Sequence, residues 1–443
     1  MTGAAKGSDD GRPPPRSGGA TLAMIEGRSG RAVIANTIRD LAQIPAFLSA
    51  CLSRRDASSW VFGNIHGFRD NPRYLAEYIL HHRPDIGVTW VAQNQEEAEA
   101  VRSAGLKVTL RGQPDARRIQ RHAGVAVLTH GFRDLDLQHL GGARIVFVWH
   151  GTPLKRIALD VRMGARRRSF ARIASHIVRF AHRRSFALVS MFVASGQLEQ
   201  RRLITAFAAS VRRVPNLGSP RFDIIRGGSG YDLIVHGDLR AQLGYGPHDW
   251  IVLWLPTHRL EYGDERWLPR LTDEDIERTF AGTDIKLLVK PHPRADWDVF
   301  RDRLPTSDPR VRLLPVTDVD VNCLLHVADA LITDYSSVVC DYAILNRPIY
   351  FLAPDVDIYA DNRGLYDPYE TLTDNRHHSD WPSLLAAVRA DLEIPGGGEG
   401  SYLAKRMNAY LGLNTAADAS ARIVDTIVAL RSKPEPKTPS SST

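Results

Sequence analysis

Along most of the chain, short apolar runs alternate with polar stretches of helical length. Trp60-Val61-Phe62, Gly87–Ala92, Lys107–Leu110, Gly124–Leu128 and Arg144–Trp149 read as strands, with helices at Gln95–Ala104 and Asp115–Ala123 between them. Asp70-Asn71-Pro72 reads as a helix start, followed by a buried stripe of Tyr74, Leu75, Tyr78 and Ile79. The longest apolar run, Phe186–Ala194, is broken by Ser190 and suits a buried strand. A second series opens near Asp249. Its strands are Trp250–Leu255, Ile285–Val289, Val311–Leu314, Ala330–Ile332 and Ile349–Leu352. Its helices are Asp273–Phe280, Val321–Val327, Val338–Leu345 and Trp381–Asp391. Strand alternating with helix marks parallel α/β sheets. Two such domains are expected, 31–220 and 221–431. Residues 1–30 and 432–443, rich in Gly, Ser, Pro and charge, are expected to be disordered tails. Within the first domain, Val33, Ile34, Ile38, Leu41, Ile44 and Leu48 recur at helical spacing.

Composition adds limits. The 443 residues are 43% hydrophobic and 24% charged, which excludes a wholly disordered or fibrous chain. Three cysteines, Cys51, Cys323 and Cys340, are too few and too scattered for a disulfide framework or a zinc site. No apolar run approaches the roughly 18 residues of a spanning helix, and the N-terminus has no signal-peptide pattern. The formal charge is +7, but it is uneven: Arg144–Arg213 carries 14 Arg and one Lys against Asp160 and Glu199, which leaves the rest of the chain acidic. In that segment Phe170, Ile173, Ile177 and Phe180 fall on one helical face, flanked by Arg168, Arg172, Arg179 and Arg183. This is a basic amphipathic helix. It suits either an anionic membrane surface or packing on the domain with a solvated basic edge. Nucleic acid is not expected as a partner, because the segment lacks aromatic interleaving and any known module.

Three polar clusters follow strands, where ligands of such sheets collect. Trp149-His150-Gly151-Thr152-Pro153-Leu154-Lys155 puts an imidazole beside permissive backbone, a place to deprotonate an acceptor hydroxyl, with Lys155 available to an anionic group. Lys290-Pro291-His292-Pro293 sets an imidazole and a cation in a rigid turn. Thr333-Asp334-Tyr335-Ser336-Ser337 precedes a helix and offers hydroxyls and backbone N–H groups to a phosphate. The alternatives are a loop-capping histidine, a rigid turn and simple N-capping, with Asp341 as a dipole partner. There is no Walker loop, no G-x-G-x-x-G and no G-x-S-x-G elbow, so an ATPase, a nicotinamide dehydrogenase and an α/β-hydrolase are not expected.

In order and wording these motifs resemble the CDP-glycerol:poly(glycerophosphate) glycerophosphotransferases of wall teichoic acid and capsule polymer synthesis. Gly218-Ser219-Pro220-Arg221-Phe222-Asp223, Leu255-Pro256-Thr257, Asn346-Arg347-Pro348-Ile349 and Asp357-Ile358-Tyr359 extend the resemblance over about Ser59–Tyr369. It departs at Gly218-Ser219, where the family more often has a large residue before Pro, and at His258-Arg259, which replace an aromatic and an Arg. The resemblance implies a GT-B fold, two Rossmann-like domains facing across a cleft. It implies transfer of a polyol phosphate, glycerol phosphate first and ribitol phosphate as an alternative, from a CDP-linked donor to a lipid-linked or polymer acceptor, with release of CMP. A GT-B sugar-nucleotide glycosyltransferase and a non-catalytic scaffold are the rival readings. His150 matches the base and His292 the second essential histidine. Ser336, Ser337, Asp334, Lys290, Pro256 and Thr257 would lie at the donor phosphates, and Gly151, Thr152 and Lys155 on the acceptor side. No metal or further cofactor is expected. The expected location is cytoplasmic, peripheral on the inner face of the membrane.

Overall fold

The structure, a computed structural model, describes residues 44–161, 179–227, 239–257, 267–292, 295–315, 319–356, 364–394 and 398–432. The expected first tail, residues 433–443 of the second, the helical stripe before Ile44, Arg168, Phe170, Arg172, Ile173, Ile177, His258, Arg259, Pro293 and Asp357–Tyr359 lie outside these residues.

Among the described residues, eleven strands form two all-parallel sheets. The first contains β1 (Asp56–Phe62), β2 (Gly87–Ala92), β3 (Lys107–Leu110), β4 (Ala123–Leu128), β5 (Arg144–Phe147) and β6 (Val189–Phe192), in the order β3-β2-β1-β4-β5-β6. The second contains β7 (Trp250–Leu255), β8 (Ile285–Val289), β9 (Val311–Leu313), β10 (Ala330–Thr333) and β11 (Ile349–Phe351), in the order β11-β10-β7-β8-β9. The central strand of the second sheet, β7, reads Trp-Ile-Val-Leu-Trp-Leu and is buried along nearly its whole length. Helices cover both of its faces, so no polar alternation is needed. Trp254 and Trp381 meet edge to face, 4.7 Å apart, under one of those faces. Helix Asp273–Phe280 begins where Thr272 and Asp275 cap one another, side chain to backbone N–H in both directions.

Strand positions follow the sequence reading closely, while several helical features differ. The run Val338–Leu345 splits into an α-helix, Val338–Tyr342, and a 3-10 turn, Ala343–Leu345. Helix Gln197–Phe207 fills a stretch that the apolar pattern left unassigned. The last helix, Ala419–Ser432, was grouped with the second domain, yet its Ile423, Val424 and Ile427 complete the core of the first sheet beside Leu75, Ile79 and Val146. The chain therefore crosses back to the first domain at its end.

The two domains share apolar surface as well: Tyr74, Leu154 and Leu198 of the first domain belong to the same core as Phe222, Leu324 and Tyr369. Polar contacts reinforce the junction. Tyr74 donates to Asp320 at 2.7 Å and accepts from Asn322 at 2.8 Å. Leu154–Arg156 pairs antiparallel with Gly364–Tyr366, through Arg156 N–H to Gly364 C=O at 3.0 Å and Tyr366 N–H to Leu154 C=O at 2.9 Å.

Candidate active site at the domain junction

The carboxyl ends of β1, β4 and β5 are neighbours in the first sheet, and each is followed by a histidine: His66, His130 and His150. Adjacent strands run about 4.8 Å apart, and the rings keep that spacing. His130 stacks on His150 at 4.4 Å, and His66 meets His130 edge-on at 4.5 Å. His150 Nδ1 lies 3.2 Å from the Thr129 carbonyl, which fixes Nδ1 as the protonated nitrogen and leaves a lone pair on Nε2. Burial lowers the pKa of His150, against the raising effects of Asp70 and the Thr129 carbonyl. Burial, with His150 and His66 alongside, takes His130 down to about 2, so its ring stands neutral beside His150.

The loop bearing His150 is held in costly backbone geometry. Trp149 has φ +47° and Gly151 φ +128°, the latter a conformation that favours glycine. Asn71 secures the loop: its side-chain N–H groups donate to the carbonyls of Val148 and Trp149 at 3.1 and 2.8 Å. Its oxygen accepts from the Ser219 hydroxyl at 2.8 Å and from the Arg221 backbone N–H at 3.1 Å. One buried amide thus joins the start of helix Asp70–His82, the H-G-T-P loop and the G-S-P-R segment. Next to it, buried Arg221 reaches Asp70 at 3.1 Å and Asp341 of the second domain at 2.9 Å. Asp70 itself sits at φ +63°. Glu199, also buried, accepts from the Ser195 backbone and hydroxyl on the adjoining wall, and burial raises its pKa.

In the second sheet, β10, β7 and β8 are neighbours, so the motifs after them line one edge. Asp334 is fully buried and accepts from Thr257 N–H at 2.9 Å, the Thr257 hydroxyl at 2.5 Å and Tyr335 N–H at 2.6 Å. It clamps two strand ends together, and its carboxylate is occupied by protein donors rather than facing a phosphate. Pro256 is buried at the same turn. Ser336 and Ser337 are half-buried; Ser336 Oγ accepts from Val338 N–H, while Ser337 Oγ caps nothing in its helix. Lys290 donates to the Pro315 carbonyl at 3.3 Å, and His292 is exposed at the edge.

The two motif sets meet at one point. A Cβ on Gly151 would lie 3.5 Å from both Ser337 Oγ and Arg221 Nη1. Of the expected acceptor-side residues, Thr152 is turned to a protein partner. Thr152 is buried, with its hydroxyl 3.4 Å from that of Ser195. Lys155 forms the backbone bridge with Leu365. Arg179 donates to the Leu159 carbonyl at 2.8 Å, so it does not face outward, whereas Arg183 is exposed. The sequence reading gave no role to His66, His130, Asp70, Asn71 or Arg221. The signal for the histidines was there, one after each of three apolar strands, but it needs the strand order to be seen. Among the described residues no group of three or more His, Cys, Asp or Glu side chains is placed to hold a metal ion, and no helix is long and apolar enough to cross a membrane.

One guanidinium serves two carboxylates here, and its attraction does not offset the burial of Asp341. Burial pushes the Asp341 carboxyl up to about 6, with Arg221 pulling against it. The folded state keeps a proton that the unfolded state releases near its ordinary value of 3.8. The contribution of Asp341 to stability is therefore present below that value and is lost as the pH rises through about 6. Asp341→Asn removes this loss, so its melting temperature should gain on the wild type's between about pH 4 and 7. Parallel curves over that range would contradict the raised carboxyl.

Comparison with known proteins agrees with this geometry. The chain is 27% identical over 325 residues to the teichoic acid poly(glycerol phosphate) polymerase of Staphylococcus epidermidis, covering 70% of this chain and 42% of that protein. It is 26% identical over 360 residues to the teichoic acid glycerol-phosphate transferase of Staphylococcus aureus, covering 76% of this chain and 85% of that protein. The chain thus spans less than half of the polymerase and most of the transferase. Its fold matches the structure of the wall teichoic acid polymerase TagF with a TM-score of 0.65 at 21% identity, over 90% of this chain and 96% of that one, which establishes the two-domain GT-B architecture. The model of the CDP-glycerol:poly(glycerophosphate) glycerophosphotransferase family matches residues 47–429, and the chain belongs to that family.

Proposed function

We propose that the protein transfers a polyol phosphate, glycerol phosphate first, from a CDP-linked donor to a hydroxyl of a lipid-linked or polymer acceptor in cell-surface polymer synthesis. The observation that carries this reading is the apposition of His150-Gly151 and Ser337 across the domain junction. The residue next to the His150 imidazole thus meets the hydroxyl-rich turn. The acceptor O–H gives its proton to His150 Nε2 as its oxygen bonds to the β-phosphorus. The bond from that phosphorus to the bridging oxygen breaks, and CMP leaves with the bridging oxygen. Ser336, Ser337, Lys290 and His292 act on the phosphoryl oxygens, where donors aimed at growing charge are most effective. Asp334, Thr257 and Pro256 hold that edge in shape. The CDP-polyol is substrate, and the step as written needs no further cofactor.

His150→Asn tests the base. Circular dichroism should stay unchanged, while CMP release from CDP-glycerol in the presence of acceptor should fall by about 10²–10⁴-fold. His130→Phe, which keeps a ring against His150, should retain most of the activity. Undiminished release by His150→Asn would remove His150 from the chemistry.

We also infer that the basic segment docks on anionic lipid. Phe180 is 61% exposed, Arg184 lies over its ring at 5.2 Å, and Arg183 is exposed beside it; Val211, next to Arg212, is 62% exposed. Apolar side chains among cations at the surface suit a headgroup layer better than packing on the domain. In flotation assays the wild type should rise with phosphatidylglycerol vesicles and not with phosphatidylcholine vesicles. Phe180→Asp with Arg183→Glu should lose that binding. Lipid-independent flotation would refute the docking, and salt-sensitive binding of RNA would replace it with a nucleic-acid surface.

A further inference from the structure

Arg221 lies in a helix of the G-S-P-R segment and touches both halves of the site without reaching the exposed edge where His292 stands. Its guanidinium spans from Asp70, on the acceptor side, to Asp341, in the helix that follows Ser337. Its Nε also points at Asn71 Oδ1, at 3.3 Å, and that amide holds the carbonyls on either side of Trp149. Asp70 pays in backbone strain for its position, with φ +63° at the first residue of a thirteen-residue helix. Such strain persists only where the surroundings over-determine it, and Arg221 is the partner that holds the carboxylate there.

We propose that Asp70 and Arg221 are positioning residues that join the proton acceptor to the donor-side helix as one electrostatic unit. This rests on the proposed function, with His150 as base. Taking the acceptor proton makes His150 an imidazolium. Asp70 is the carboxylate that stabilises that charge, and Arg221 limits how strongly it does so. Because Arg221 also holds Asp341, the balance at His150 depends on the second domain being seated as in this structure.

The groups acting on His150 are Asp70, Arg221, His66, the Thr129 carbonyl and the rings of His130 and Trp149. Asp70 raises its pKa, while Arg221 and His66 lower it. This gives a test with opposite signs that needs no substrate. In the full-length protein with labelled histidine, the His150 resonance is identified by its absence in His150→Asn and then titrated. Arg221→Met should move its midpoint up, and Asp70→Asn should move it down, each by about one pH unit. Arg221→Lys should return it most of the way. With CDP-glycerol and acceptor, the acid limb of kcat should move in the same directions, with kcat falling about a hundredfold in Arg221→Met. If Arg221→Met does not fold, Asp70→Asn, nearly isosteric, decides alone. Unmoved midpoints in folded variants would overturn the proposal and leave Arg221 a merely structural residue, even if kcat fell. Moved midpoints in a protein that releases no CMP would keep the coupling and refute the function.

Discussion

A guanidinium cannot be buried without counter-charge, and in this protein its counter-charges come from two domains. Arg221 keeps both counter-charges only while Asp70 of the first domain and Asp341 of the second are within reach. Taking away either one leaves charge in a low-dielectric place, which is far more costly than never having buried the pair. The junction is therefore specified by electrostatics as well as by the shared apolar core. The apposition of Gly151 and Ser337 follows from it, because the guanidinium lies against both loops.

Around this centre, regular secondary structure does the positioning. Strand spacing sets the distances in the histidine stack, since three neighbouring strands each deliver one ring. The same rule assembles the donor edge from β10, β7 and β8. Among the positive-φ residues, Asp70, Trp149 and Gly151 lie at the meeting point of the two halves. Buried polar groups nearby, Asn71 and Asp334, are almost wholly occupied in tying one motif to another. Motif residues thus divide into those that face the cleft and those that hold the first kind in place.

The sequence showed much of the fold and only part of the site. Apolar runs such as Trp250–Leu255 and Ile285–Val289 matched their strands end to end, because a strand buried on both faces is a continuous apolar run. What the linear pattern does not contain is strand order. His66 and His130 become neighbours of His150 only once β1, β4 and β5 are adjacent, and 84 residues separate His66 from His150. Asp70-Asn71-Pro72 was legible as a helix start, and that explanation was sufficient enough to hide its second role. Thr152 and Asp334 looked available because polar residues in a motif suggest contact with ligand, yet burial gave them protein partners. The domain range 221–431 took in the last helix because order along the chain does not show which sheet a segment packs against.

The central claim is that a CDP-linked polyol is the donor and that its phosphate is what moves. It is tested most directly by incubating the protein with an acceptor and, separately, CDP-glycerol, CDP-ribitol and UDP-sugars, and measuring released nucleotide against label joined to the acceptor. The account expects CMP from a CDP-polyol, equimolar with polyol phosphate gained by the acceptor. Release of UDP with transfer of sugar, and no CMP from either CDP donor, would contradict it.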